Sequence, residues 1–224
     1  SRKVLTGYLR EDYRGAIQSD GLGNYKIIEK EAYPDAIRLS CFQHCKRKFL
    51  NITGNKDAEK IVRIINRLYQ NEHRIPPDWT ASQILDYRNK YAPPILKELK
   101  KELINIKNKK STLPKSELSK AINYTLNEYD ALCNYIRCAD YAPDNNAIER
   151  LMRYISLSRR NSLFCGSHQG AKRAALIYSL ACSCRLNNIN SFEYFKDLLT
   201  KLIDINPNTD HETIRNLLPH KWQR

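Results

Sequence analysis

The sequence is poor in glycine (7 residues), methionine (1) and tryptophan (2) over a length of 224 residues. With 9 prolines besides, it lacks the turn density that a sandwich or barrel of many short strands requires. It has no Cys-x-x-Cys pair, and its 7 cysteines are odd in number and scattered at Cys41, Cys45, Cys133, Cys138, Cys165, Cys182 and Cys184. A secreted disulfide framework is therefore disfavoured, and the reducing cytoplasm fits better. No run approaches the roughly 18 apolar residues of a membrane-spanning helix. No basic amphipathic anchor with an aromatic face is present either, so the expected partners include no membrane. The first residues, Ser1-Arg2-Lys3-Val4, are not a signal peptide. They lack an initiating Met, which reads as a processed chain or an excised fragment. Acidic residues are the last shortage: 24 Asp and Glu stand against 38 Lys and Arg, a net charge of +14. Such an excess selects for a polyanionic partner, nucleic acid before all others.

What the sequence has is helix. Apolar residues make up 42% of it, enough for a packed core. Helical spacing of Val4, Leu5, Tyr8 and Leu9 predicts a helix over 3–13. Residues 15–20 read as a short strand ending in a turn over Asp20-Gly21-Leu22-Gly23-Asn24, and 36–42 as a second strand. A helix begins at 44–51. From 57 to 138 the pattern is helical throughout. Ile61, Ile64, Ile65, Leu68 and Tyr69 form one stripe within 57–73, and helices are expected over 80–91 and 93–108, divided at Pro93-Pro94. A further helix spans 116–137, with Leu118, Ile122, Leu126, Tyr129, Leu132 and Ile136 inward. A loop at 139–146 precedes helices over 146–157, 170–187 and 191–203. The order is that of an α/β protein, mostly helical. Two strands alone make no stable sheet, so they need support from elsewhere.

Two carboxylates stand out. Asp20 sits where a strand meets a glycine-bearing turn, at the kind of strand end where α/β folds place active sites. Taken alone, an ordinary Asp-Gly turn is the commoner origin of such a residue. Glu149 lies in the first turn of a helix opened by Asp144-Asn145-Asn146. Asn146 followed three positions later by Glu149 is also a capping-box pattern, with a purely structural role. Downstream come Arg153, Arg159, Arg160, Lys172 and Arg173, interleaved with small residues. A carboxylate at a helix start followed by clustered cations can serve a metal ion and a phosphate backbone together.

The segment DNNAIERLMRYISLSRRNSLFCGSHQGAKRAALIYSL (144–180) resembles the signature around the catalytic Glu of insertion-sequence-66 transposases, with its DNN-x-x-ER core. GAIQSDGLGNY (15–25), RLSCFQHCKRKF (38–49), IINRLYQNE (64–72), LPKSELSKAINYTLNEYDAL (113–132), LNNINSFEYFKDLL (186–199) and LLPHKW (217–222) are similar, in order, to further segments of that family. Ser158, Ser162 and Arg160 stand where the family usually has Gly, Trp and Lys.

The resemblance implies a DDE-type DNA transposase. Such an enzyme uses three carboxylates to hold two Mg²⁺ (or Mn²⁺) ions, a task for hard oxygen ligands. It makes Asp20 and Glu149, 149 − 20 = 129 positions apart, the second and third carboxylates. The first belongs upstream, so the chain is expected to be a truncated and, alone, inactive fragment with an open strand edge. The implied layout is a truncated ribonuclease-H-like domain with a large all-helical insertion and a helical C-terminal extension. Its parts are 1–54 (core remnant with Asp20), 55–138 (insertion), 139–180 (core helices with Glu149) and 181–224 (extension). Candidate DNA contacts are Lys46, Arg47, Lys48, Arg153, Arg159, Arg160, Lys172 and Arg173, each of which is also explicable as a solvated surface charge. His44, Asn145, Asn146 and Arg150 are candidates for the pocket. Cys41, His44 and Cys45 match no standard zinc spacing. DNA is the implied partner, with a homo-oligomer as the expected full-length form. A non-catalytic DNA-binding remnant of a transposase, and an all-helical interaction protein, are the alternative readings.

Overall fold

A computed structural model describes residue 9 and residues 12–21, 33–206 and 208–222. Most of the expected N-terminal helix over 3–13, and the far side of the turn at 22–24, lie outside the described residues. The protein is mostly helical and divides into two compact units, residues 1–147 and 148–224.

In the first unit, β1 (Ala16–Gln18) and β2 (Ile37–Leu39) pair in parallel, with Ala16 opposite Ile37 and Gln18 opposite Leu39. Ser19 continues the ladder by donating its N–H to the Leu39 carbonyl at 3.1 Å. The helices that follow are α1 (Phe42–Leu50), α2 (Lys56–His73), α3 (Ala81–Lys107), α4 (Glu117–Asn127) and α5 (Tyr129–Cys133). A 3₁₀ turn over Asn134–Arg137 ends the run. The α2 stripe is buried as its 3.6-residue period requires: Ile61, Ile64, Ile65 and Leu68 are all in the core. They pack with Phe42 and Phe49 of α1, Leu96, Leu99 and Leu103 of α3, and Ile122 of α4.

The helices also support the two strands. Asn134 donates its side-chain amide to the Arg38 carbonyl at 2.9 Å, and Ser40 donates its N–H to the Ala131 carbonyl at 3.2 Å. Arg38 pairs with Glu128, whose side chain is 1% exposed. Backbone groups and a charge on β2 thus find partners in the helical layer, which is how so small a sheet is held.

Two helices differ from the sequence expectation. α3 runs unbroken through Pro93 and Pro94. Buried Ala92, Ile95, Leu96 and Leu99 keep one apolar face continuous across the prolines, and that packing outweighs the two missing N–H donors. The expected helix over 116–137 is interrupted at Glu128, where α4 ends and α5 begins. There the buried carboxylate turns to meet Arg38.

The second unit holds α6 (Asn146–Ser158), which starts two residues before the boundary, then α7 (His168–Leu186), α8 (Ser191–Ile203) and α9 (His211–Asn216). Its core is small: Cys184, Tyr194 and Leu198. Tyr194 donates to the Leu217 carbonyl at 2.9 Å, and Trp222 donates its indole N–H to Asp197 Oδ2 at 2.8 Å. The LLPHKW tail therefore closes against α8. Among the described residues no helix is long and apolar enough to cross a membrane.

Candidate active-site edge and cationic surface

The C-terminal ends of β1 and β2 are where the sequence signals of the first unit converge. The Asp20 carbonyl accepts a hydrogen bond from the Tyr124 hydroxyl of α4. Gly21 takes φ +76°, a left-handed conformation that glycine adopts without penalty. A Cβ at Gly21 would lie 2.7 Å from Tyr124 Oη and 3.1 Å from Glu128 Cδ. Asp20 is thus placed by an interaction that also requires its neighbour to be glycine.

The loop that leads into α6 runs along the same edge. Gln18 donates its side-chain amide to the Ala142 carbonyl at 2.9 Å, and Phe42 donates its N–H to the Pro143 carbonyl at 3.0 Å. Asp144 accepts from the Tyr69 hydroxyl at 2.8 Å, from the Asn146 N–H at 3.0 Å and from the Asn146 amide at 3.1 Å. Asn146 is the first helical residue, and Asp144 binds both its N–H and its side-chain amide. Glu149 lies in the first turn of α6, half-buried, on the other side of the boundary between the units.

The electrostatics of this edge follow from burial. The Tyr69 phenol is pushed well above its usual range by burial, and then by the adjacent Asp144 charge. Burial also raises the Cys41 thiol, although the backbone N–H groups of Asn145, His44 and Gln43 pull the other way. Cys45 is pushed up to about 12 by burial. Neutral buried thiols are poor metal ligands. The oxygens here are of the other kind. Asn145 Oδ1 and the Ser19 and Ser40 hydroxyls are buried without a hydrogen-bond partner among the described residues. Oxygen donors of this kind, like the Asp20 carboxylate, are the type that hard cations such as Mg²⁺ prefer. Among the described residues no three His, Cys, Asp or Glu side chains cluster as a ready metal cage.

The expected cationic residues fall into two groups. On α1, Lys46 lies 5.8 Å from the Tyr69 ring centroid and Lys48 lies 4.3 Å from that of Tyr124, while Arg47 is exposed. The same two tyrosines that hold Asp144 and Asp20 thus seat the α1 lysines. His44, in the first turn of α1, is half-buried. In the second unit, Arg150, Arg153, Arg159, Arg160, Lys172 and Arg173 are all exposed. Ser158 meets the Tyr178 hydroxyl at 2.6 Å, tying α6 to α7. Ser167 caps α7 by accepting from the Gly170 N–H at 3.0 Å. A Cβ on Gly170 would lie 2.2 Å from the Cys165 carbonyl, so the small residue there is a steric requirement. Tyr69, Tyr124 and Asp144 were not singled out for the site from sequence. Asp144 stood only as the first residue of the DNN core, and its pairing with Tyr69, like that of Tyr124 with Asp20, is visible only in three dimensions.

Residues 1–173 match the family described as Transposase IS66 family. Among curated proteins, the chain is 31% identical over 218 residues to "Uncharacterized protein y4jD" of Sinorhizobium fredii (strain NBRC 101917 / NGR234), covering 94% of this chain and 42% of that protein. It is 27% identical to "Uncharacterized protein y4hP" of the same organism, over 95% of this chain and 40% of that protein. The chain thus spans about two fifths of the length of the curated relatives it matches. No solved structure matches it.

Proposed function

The chain belongs to the IS66 family of transposases, and from that membership we propose that it is part of a DDE-type DNA transposase. The carrying observation is that the family match, residues 1–173, takes in both the Asp20 segment and the Glu149 segment. In this reading residues 1–54 and 139–180 belong to a ribonuclease-H-like core, 55–138 form its helical insertion, and 181–224 are a C-terminal extension.

Asp20 and Glu149 are the proposed ligands of catalytic Mg²⁺ or Mn²⁺, hard cations that carboxylate oxygens suit. Bound there, the ions would supply activation of the attacking oxygen and charge neutralisation at the leaving one. The protein's own part is placement. Tyr124 and Gly21 fix the backbone at Asp20, and Asp144 fixes the helix start that precedes Glu149. Arg47, Arg153, Arg159, Arg160, Lys172 and Arg173, with Lys46 and Lys48, would hold DNA phosphates, which orients the strand without reading its sequence. His44 and Arg150 would border the pocket. The remaining carboxylate of a DDE set, its first, is assigned to the part of the full-length protein outside these 224 residues. The 224-residue chain by itself is accordingly expected to be inactive, and the full-length enzyme to act as a homo-oligomer on DNA.

The test is strand transfer of a pre-cleaved transposon end by the full-length protein with Mg²⁺. Asp20→Asn and Glu149→Gln should each lower the rate about a hundredfold or more, since metal ligation supplies several kcal/mol to such chemistry. Near-normal rates from either variant would refute the assignment of that residue. Robust transfer by the 224-residue chain alone would refute the three-carboxylate reading.

A further inference from the structure

We propose that the cleft between α3 and α5, remote in sequence from the cations considered above, is a second DNA-backbone contact surface; this rests on the reading that the chain acts on DNA. The cleft, of ≈ 610 Å³, has a floor of Pro93, Leu96, Tyr129 and Ile136 and a wall carrying Lys97, Lys100 and Lys101. A second cleft adjoins it, sharing Tyr129, Cys133 and Ile136 and carrying one acid, Asp130, beside Arg137. The two together follow α3 from Leu85 to Asn105, on the order of 30 Å at 1.5 Å per residue.

Charge is segregated around the second half of α3, beyond Pro94. Its acids Glu98 and Glu102 turn to α2, where Arg67 pairs with Glu98 at 2.8 Å and Lys60 with Glu102 at 2.7 Å. The lysines lie on the other side of the helix. Lys97 and Lys101 are exposed and make no ion pair or hydrogen bond among the described residues. Lys100 sits 4.6 Å from the Tyr129 ring centroid, an aromatic face rather than a counter-charge. Lysines 97, 100 and 101 share one helical face, so their charges add over a short stretch. Their methylene stems lie along the apolar floor and leave the ammonium groups at the rim. Three closely set cations without acidic partners, in a chain of net charge +14, favour an anion that is dense and repeated. A nucleic-acid backbone meets that description and is already the substrate class of the proposed activity. An acidic protein helix is the competing occupant.

The experiment measures binding of a random-sequence DNA duplex to the 224-residue chain by fluorescence anisotropy across a salt series. A Lys97→Gln/Lys100→Gln/Lys101→Gln variant is compared with Lys60→Gln/Arg67→Gln/Lys120→Gln, which removes the same number of charges from paired positions. The cleft variant should make the slope of log K against log salt shallower by roughly 2 to 3, about 0.9 per phosphate contact. The paired-site variant should change it by less than half as much. Single Lys97→Gln and Lys101→Gln changes, expected at about 0.9 each, serve if the triple variant melts early. An unchanged slope, or equal changes in both triple variants, would overturn the cleft as a DNA site. So would a cleft variant that binds DNA normally but loses an acidic helical peptide. Absence of salt-dependent binding by the unmodified chain would overturn the DNA contact altogether. The strand-transfer assay of Asp20 and Glu149 variants in the full-length protein is read separately, so the two ideas can fail independently.

Discussion

The Tyr69 hydroxyl donates to Asp144 Oδ2 at 2.8 Å across 75 positions of sequence. It joins the middle of the helical layer to the loop from which α6 starts. Asp144 in turn accepts from the Asn146 N–H, so one carboxylate links α2 to the first turn of the helix that carries Glu149.

Tyr69→Phe removes that donor and keeps the ring. A hydrogen bond to a charged group contributes about 1.5–3 kcal/mol, so the variant should lose stability in that range. For a protein of this size each kcal/mol lowers Tm by about 2–4 °C, readable by thermal melting. If the proposed chemistry holds, strand transfer by the full-length protein should fall while DNA binding stays unchanged. An unchanged Tm would show that Asp144 finds another donor.

Gly21→Ala tests the placement of Asp20. The substitution puts a Cβ on a residue with φ +76° and within 2.7 Å of Tyr124 Oη. The backbone conformation alone costs about 1–3 kcal/mol, and the hydroxyl that holds the Asp20 carbonyl must move. The expected result is a lower Tm and, on the proposal that Asp20 is a catalytic carboxylate, a loss of full-length activity comparable with Asp20→Asn. Tyr124→Phe should give a milder form of both, because the ring and the turn remain.

The long apolar stripes were legible because helical period is a local property: Ile61, Ile64, Ile65 and Leu68 could be assigned inward from spacing alone. The Asp-Gly pair was legible for the same reason, since the positive φ at Gly21 is a demand made by the turn itself. Three features were not. Pro93 and Pro94 obey a local rule that the buried face of α3 overrides. The break at Glu128 comes from a partner, Arg38, 90 positions away. The tie of the Asp144 carboxylate to Tyr69, 75 positions away, has no local signature either. In each case the deciding contact is long-range, and no window of sequence contains it.

Arg88 makes a further set of long-range contacts. It is 6% exposed, forks onto the Glu72 carboxylate with distances of 2.7–3.1 Å, and donates to the carbonyls of Tyr135, Cys138 and Ala139 at 3.3, 2.8 and 3.2 Å. Those carbonyls close the 3₁₀ turn and open the loop toward Asp144. Arg88→Ala leaves the half-buried Glu72 without its cation and three carbonyls without their donor, and should cost about 3 kcal/mol by urea denaturation. Arg88→Lys keeps the charge and loses the planar fork, so it should recover only part of that. Full recovery by Lys would mean that charge alone matters there.

The buried thiols and phenols set the alkaline limit of the fold. Cys45 is pushed up to about 12 by burial, from an ordinary thiol value near 9, and burial also raises Tyr69, Tyr124, Tyr129 and Tyr135 above the usual phenol range. For Cys45 the unfolded chain loses its proton first as pH rises. Between about pH 9 and 12 the folded state then holds more protons than the unfolded one, and stability must fall as pH increases. One such group contributes a slope of at most 1.36 kcal/mol per pH unit. The tyrosines add to it above about pH 10. Urea denaturation at a series of pH values should therefore show stability flat near neutrality and declining from about pH 9. Cys45→Ala, although less stable throughout from the lost packing, should decline less steeply between pH 9 and 10, where the thiol acts before the phenols. A slope unchanged by that substitution would mean that Cys45 reaches solvent before the chain unfolds.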